Sequence, residues 1–167
     1  MAENLLLLQE PASREEKYRH LLPQIQSLLL GENDWIANMA TVAAALKQTF
    51  DFFWVGFYRV KEGELRQGPF QGPVACSRIP WGKGVCGTAW KEKRTIVVPD
   101  VEDFPGHIAC NSASKSEIVV PVFNHQQEVL AVLDIDSETL NDFGDTDVLF
   151  LEEIARFLFD STSILTH

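Results

Sequence analysis

The amino-acid sequence predicts an α+β domain in which helices cover one face of an antiparallel β-sheet. Helical periodicity occurs near both ends of the chain, whereas alternation with a period of two marks the strands between them. Short turn sequences separate several of the strands, which favours hairpins and therefore antiparallel pairing. The other face of the sheet is left to the Gly- and Pro-rich loops of residues 68–106, which are expected to wall a pocket.

Two helices are predicted in the first third of the chain. Ser13 and Glu16 have the spacing of a capping box, and apolar residues recur after them at helical intervals. Pro23 is expected to kink or split this helix because proline lacks a backbone N–H, and Gly31 is expected to end it. A second helix is expected to start at residues 33–34 and to bury one apolar face.

Strand patterns begin at Phe53, where alternation with a period of two sets in. Residues 61–64 are typical of a hairpin turn, and a tight turn at Asn124 and His125 joins two firmer strands later in the chain. The elements predicted after the first two helices are a strand from residue 53, a short strand at 65–68, a helical stretch at 85–91, a strand at 95–98, strands at 117–123 and 128–136, and a final helix from residue 145 or 146.

Length and composition limit the organisation of the chain and its partners. The 167 residues suit one domain, so residues 1–12 are expected to form a loose N-terminal arm and residues 13–167 a single domain. The formal charge of −10 creates a surface that repels phosphate backbones and anionic lipid, so neither nucleic acid nor a membrane is an expected partner. No apolar run approaches the roughly 20 residues of a spanning helix and no signal sequence is recognisable, so a cytoplasmic location is expected.

Acidic side chains gather at one end of the predicted sheet. Asp134 and Asp136 are two residues apart on one strand and therefore project from the same face. Counting across the hairpin places Glu117 near Asp134, within two residues of register. Such a cluster can bind a metal cation, bind an ammonium group, or keep one carboxyl protonated as a general acid. The alternative is that these side chains are solvated residues at a strand end.

The three cysteines, Cys76, Cys86 and Cys110, form neither a secreted disulfide framework nor a zinc motif with short paired spacing. In a reducing compartment such thiols are either buried small hydrophobic residues or redox-active groups. His107, three residues before Cys110, would lower the pKa of that thiol if the imidazole were charged, although a loop histidine more often bonds to backbone. The glycines around Cys86 lack the spacing of a phosphate-binding motif and indicate tight turns into a helix.

Aromatic residues on the first strand are a further candidate binding surface. Trp54 and Tyr58 share a strand face with Gly56, which lies between them. A small residue between two aromatic residues predicts a slot for a flat or apolar ligand group. Packing of both rings in the core is the alternative.

Five segments, taken in order, resemble the free methionine-(R)-sulfoxide reductases, a family of single GAF domains. They are the segment around Cys76 and the sequences GKGVCG, PGHIAC, SEIVVP and LDIDS, within a match over residues 13–160. The resemblance implies a GAF-like antiparallel sheet. It also implies thiol-dependent reduction of free methionine-(R)-sulfoxide through a cysteine sulfenic acid and an intramolecular disulfide, with no metal and no bound cofactor.

The resemblance also implies roles for individual residues. The candidate catalytic residues are Cys110 as the attacking cysteine, Cys76 as the resolving cysteine and Glu117, with Cys86 as an additional redox candidate. The candidate substrate-binding residues are Trp54, Tyr58, Asp134 and Asp136. Asn111 departs from the family, which commonly has Asp after the catalytic cysteine. A thioredoxin-like protein is the implied reductant, and formation of a homodimer is a possibility that the sequence leaves open. The alternative function is that of a GAF module that senses a small molecule without catalysis.

Overall fold

The computed structural model describes residues 4–163, and the side chains of residues 4–159. Its elements are α1 (Arg14–Leu29), α2 (Trp35–Phe50), β1 (Trp54–Lys61), β2 (Glu64–Gln71), β3 (Arg78–Pro80), α3 (Gly84–Glu92), β4 (Ile96–Val98), β5 (Ser116–Phe123), β6 (Val129–Ser137) and α4 (Asp145–Ser163). The strands form one sheet in the order β3-β2-β1-β6-β5-β4, and every neighbouring pair is antiparallel. The predicted α+β class is confirmed. No helix within residues 4–163 is long and apolar enough to cross a membrane.

The two faces of the sheet are covered differently. α2 and α4 pack on one face, α1 packs against both of these helices, and together they enclose the larger apolar core. On β6, Ala131, Leu133 and Ile135 enter this core, whereas Val132 and Asp134 point to the opposite face. The opposite face carries a smaller core together with α3, so the prediction of helices on one face holds for three of the four helices.

The first helix differs from its prediction at the proline. Ser13 and Glu16 form the predicted capping box, but α1 continues through Pro23 without a break. Pro23 lies on the exposed side of the helix, where water can solvate the carbonyl group that loses its N–H partner. The helix ends at Leu29, close to Gly31, which has the positive φ of 82° expected of a helix stop.

The segment before α1 contacts that helix and the larger core in the part that the structure describes. The Leu6 backbone N–H donates to the Gln24 side chain at 2.8 Å, and the Gln24 amide donates back to the Leu6 carbonyl at 2.9 Å. Glu10 forms an ion pair with Lys17, and Leu5 packs against the larger core. These contacts link the segment to α1 and to the core, whereas the division into an arm of residues 1–12 and a single domain of residues 13–167 stays a prediction.

The two predicted hairpins differ in their turns. β1 and β2 are joined by the two residues Glu62 and Gly63, whose positive φ values of 54° and 79° suit a type I′ turn. The β5–β6 turn is wider than predicted: the Asn124 N–H donates to the Glu128 carbonyl at 2.9 Å, and pairing starts at Val129. This turn sets the register that places β5 beside the acidic residues of β6.

Replacement of Gly56 is expected to destabilise the fold. A Cβ atom at this position would overlap the side chain of Phe70 and lie 2.8 Å from Cη2 of Trp54. We expect Gly56→Ala to lower the free energy of unfolding by about 1–3 kcal/mol, as overpacking does elsewhere. The control is Gly144→Ala, where a Cβ meets nothing within 4 Å. Gly144 directly precedes α4, a position where alanine is less favourable than glycine, so the loss should stay below about 1 kcal/mol. Urea unfolding measures both, and equal losses would contradict the prediction.

Candidate functional site

A pocket lies on the face of the sheet opposite the three large helices, between β1, β6, α3 and the loop before β5. The residues singled out from the sequence that line it are Trp54, Tyr58, Cys86, His107, Cys110, Asn111, Glu117, Asp134 and Asp136. Lining residues that sequence reasoning missed are Phe53, Ala75, Ile79, Gly84, Val85, Ile108 and Ser114. The fold therefore brings the candidate acids, aromatic residues and two of the cysteines to one place.

Cys76 and Cys110 form a disulfide, and their Cα atoms lie 5.3 Å apart. Cys76 comes from the loop before β3 and Cys110 from the loop before β5, 34 residues later in the chain. Both cysteines are half-buried. This is the disulfide that the resemblance implies, and Cys110 contributes to the wall of the pocket.

The aromatic residues of β1 hold the loop that carries Cys76. The Tyr58 hydroxyl donates to the Cys76 carbonyl oxygen at 2.9 Å, and Trp54 Nε1 donates to the Pro73 carbonyl oxygen at 3.1 Å. The two rings stack with centroids 5.9 Å apart, and Phe70 also stacks on Trp54 at 5.2 Å. The predicted slot over Gly56 is therefore wrong, since Phe70 and Trp54 fill that space.

The three acidic residues meet in the floor of the pocket. Glu117 on β5 pairs directly with Asp136 on β6, two residues from Asp134, which is within the predicted register. Glu117 and Asp134 are each only 5% exposed, whereas Asp136 is half-buried. The alternative of a solvated strand end is excluded by this burial.

Burial and mutual repulsion raise the pKa of all three carboxyls well above the usual range. Burial is the largest cause for each residue. The charge of Asp136 adds to it for Glu117, the charge of Glu117 for Asp134, and the charge of Asp134 for Asp136. Asp136 differs in accepting a hydrogen bond from Ser114 Oγ at 2.7 Å, which favours its ionised form. The raised pKa values favour a proton on the cluster, and the hydrogen bond between Asp134 and Glu117 raises the pKa of Asp134 further while it lowers that of Glu117.

His107 contacts an acid rather than a thiol. Its Nε2 lies 3.4 Å from Oε2 of Glu117, and burial lowers the pKa of the imidazole. A neutral His107 does not supply the positive charge that would activate Cys110, so that interpretation is not supported. The neutral ring can instead exchange a proton with Glu117.

Cys86 is a buried thiol in the lining of the pocket. It lies in the first turn of α3 and is only 3% exposed. Burial raises its pKa well above the usual range, and the neighbouring Asp134 adds to this effect. The glycines around it do serve tight turns: Gly82 and Gly84 have φ values of 71° and 62°. A protonated, buried thiol is a poor nucleophile.

These features define a class of protein: an α+β ligand-binding domain with a cysteine pair and buried acids in one pocket. A family model described as "GAF domain" matches residues 34–158. The chain is 57% identical over 159 residues to GAF domain-containing protein A of Dictyostelium discoideum, across 95% of this chain and 99% of that protein. It is 40% identical over 154 residues to the free methionine-R-sulfoxide reductase of Saccharomyces cerevisiae, across 87% of this chain and 86% of that protein.

A solved structure gives the same result. The X-ray structure of free methionine-R-sulfoxide reductase from Neisseria meningitidis, in complex with its substrate, matches with a TM-score of 0.90 and 49% identity. The match covers 95% of this chain and 96% of that one. The chain therefore belongs to the GAF-domain family and, within it, to the free methionine-R-sulfoxide reductases, which are oxidoreductases. The family resemblance of the sequence is confirmed.

Proposed function

We propose that this protein reduces free L-methionine-(R)-sulfoxide to L-methionine, with Cys110 as the attacking thiol and Cys76 as the resolving thiol. The observation that carries the proposal is the Cys76–Cys110 disulfide next to a pocket that also contains three buried carboxyls. The family membership supports the substrate, and the preference for the R epimer rests on it alone.

The chemistry proceeds in three balanced steps. The Cys110 thiol attacks the sulfoxide sulfur and takes over its oxygen, so that methionine leaves and Cys110 becomes a sulfenic acid. The Cys76 thiol then attacks the Cys110 sulfur, forming the disulfide and releasing water. A thioredoxin-like dithiol protein reduces the disulfide by exchange, and the half-buried cysteines are accessible to it. Such recycling fits a cytoplasmic location.

The residues of the acidic cluster perform two different tasks, proton donation and ammonium binding. A sulfoxide sulfur is electrophilic only when its oxygen is protonated, so the reaction needs an acid with a raised pKa, and Glu117 fits this role. The ammonium group of the free amino acid can be held by the more exposed Asp136 together with Asp134. Trp54 and Tyr58 supply the aromatic wall for the apolar part of the substrate.

The pocket of the disulfide-bonded state offers little room for the substrate. The volume of the pocket is about 40 Å³, which has room for water but not for a whole amino acid. The segment that carries His107, Ile108 and Cys110 forms one wall of this space. We infer that reduction of the disulfide frees this wall to move and admits the substrate.

We expect the enzyme to reject methionine sulfoxide whose amino group is blocked. In N-acetyl methionine sulfoxide the ammonium becomes an amide, which leaves the buried carboxylates without their charge-assisted partner. The loss should reach a few kcal/mol, or more than about a hundredfold in kcat/KM. The measurement is methionine formation from each separated epimer with a dithiol reductant. Comparable turnover of the acetylated compound would refute the role of the cluster in ammonium binding.

A sensing module without catalysis remains the competing function of a GAF domain. Cyclic nucleotides and other phosphate-containing ligands are disfavoured here because the pocket floor consists of three carboxyls. The disulfide in the pocket wall is also unnecessary for ligand sensing. Turnover in the same assay separates the two functions, since a sensor would bind methionine sulfoxide without consuming it.

A further inference from the structure

Cys86, Glu117 and Asp134 form a set of metal-ligating groups that the reduction scheme does not use together. Cys86 Sγ and one carboxylate oxygen each from Glu117 and Asp134 all lie within 4.8 Å of one another. The three residues come from α3, β5 and β6, so the sequence spacing gives no sign of this set. Among residues 4–159, this is a cluster of three groups of the kind that binds transition metals.

A second observation concerns one oxygen of Asp134, whose carboxyl otherwise shares hydrogen bonds with Cys86 and Glu117. Oδ1 of Asp134 is buried and accepts no hydrogen bond from any side chain or backbone group of the described residues. A buried acceptor without a partner is unfavourable, and a cation is the partner that a carboxylate oxygen in such a place favours most. Oδ1 itself is buried, while the residue Asp134 lines the pocket from which an ion would enter.

We propose that Cys86, Glu117 and Asp134 bind a divalent cation of the zinc type, and that the bound ion blocks the pocket against methionine sulfoxide. One thiolate and two carboxylates suit Zn²⁺, which takes sulfur, nitrogen and oxygen ligands in tetrahedral sites. Three protein ligands leave the fourth position to water. The binding itself is independent of the proposed reductase activity, whereas the blocking rests on it.

The geometry requires only small movements. Ligand atoms of a tetrahedral zinc site lie roughly 3.3–3.8 Å apart, given bond lengths of about 2.0–2.3 Å. Atoms that are already within 4.8 Å therefore reach the ion after shifts of about 1 Å. The pocket volume of about 40 Å³ has room for an ion and its water, and His107, whose Nε2 lies 3.4 Å from Oε2 of Glu117, can orient that carboxylate.

Binding would replace protons by a metal ion. The thiol of Cys86 and any protonated carboxyl must give up their protons when the ion enters. The ion then occupies the place of the acid and cancels the negative charge that would hold the substrate ammonium. In the disulfide-bonded protein Cys86 is the free cysteine of the three, so the thiols of Cys76 and Cys110 do not compete for the metal.

Isothermal titration of the disulfide-bonded protein with Zn²⁺ tests the binding. We expect one equivalent to bind, and Cys86→Ser, Cys86→Ala and Asp134→Asn each to weaken the affinity by at least about tenfold. The control Glu102→Gln removes an exposed carboxylate outside the pocket and should leave the affinity unchanged. Titration with Cd²⁺ should give a thiolate-to-metal absorption band in the ultraviolet that both Cys86 variants lack, with circular dichroism confirming that the variants are folded.

The outcomes separate this proposal from the reductase function. Absence of Zn²⁺ binding, or equal affinity in wild type and the Cys86 variants, would overturn the metal site whatever the enzyme activity. Binding with the Cd²⁺ band supports the site even if no sulfoxide is reduced. In an active protein, Zn²⁺ that binds at this set without inhibiting turnover would overturn the blocking, and inhibition that a chelator reverses supports it.

Discussion

Replacement of Cys110 by serine is expected to abolish the reduction of methionine sulfoxide completely. A serine hydroxyl is not ionised near neutral pH and cannot take over the sulfoxide oxygen, so neither the sulfenic acid nor the disulfide can form. Single-turnover experiments should detect no methionine with Cys110→Ser. A full burst of methionine from this variant would contradict the assignment of the nucleophile.

The comparison with Cys76→Ser separates attack from resolution. This variant keeps the attacking thiol, so it should release about one methionine per enzyme and then stop as the sulfenic acid, which a sulfenic-acid-trapping reagent and mass spectrometry detect. The matched variant Cys86→Ser should retain turnover because Cys86 is buried and protonated. If Cys76→Ser continues to turn over without added small thiols, and this turnover is lost when Cys86 is also replaced, then Cys86 resolves the sulfenic acid.

The sequence predicted the elements that local patterns determine. The capping box at Ser13, the two-residue turn before Glu64 and the alternation along β6 each depend on residues close together in the chain, and each is present. β3 escaped prediction because a three-residue edge strand within a Gly- and Pro-rich loop has no periodicity to detect. Pro23 does not split α1, because the cost of proline in a helix depends on solvent exposure, which is a tertiary property.

The site was predictable where one hairpin defines it and unpredictable where loops do. The register of β5 and β6 brings Glu117 to the aspartates, and counting across the turn sufficed to place it. The contacts of His107 with Glu117 and of Ser114 with Asp136 involve loop conformations that the sequence does not encode in a periodic form. The place of Cys86 beside Asp134 likewise depends on how α3 packs on the sheet.

Replacement of Glu117 by glutamine is expected to slow the chemical step by about 10²–10⁴-fold, the usual contribution of a general acid. The amide keeps the size of the side chain but cannot release a proton to the sulfoxide oxygen. Asp136→Asn should mainly raise KM, because Asp136 is the most exposed of the three acids and accepts a hydrogen bond that favours its ionised form. Asp134→Asn should change KM and also lower the rate of the chemical step, because Asp134 shares a proton with Glu117.

The pH dependence of the chemical step identifies the acid. Burial raises the pKa of Glu117, so the acid is protonated below this raised value and is lost as the pH increases through it. The wild-type rate of methionine release in a single turnover should therefore fall on the alkaline side, and Glu117→Gln should lack this fall. Glu102→Gln, which changes an exposed carboxylate, serves as the control and should match wild type. If the variants of Glu117, Asp134 and Asp136 all match wild type in rate, KM and pH profile, the acidic cluster has no part in the reaction.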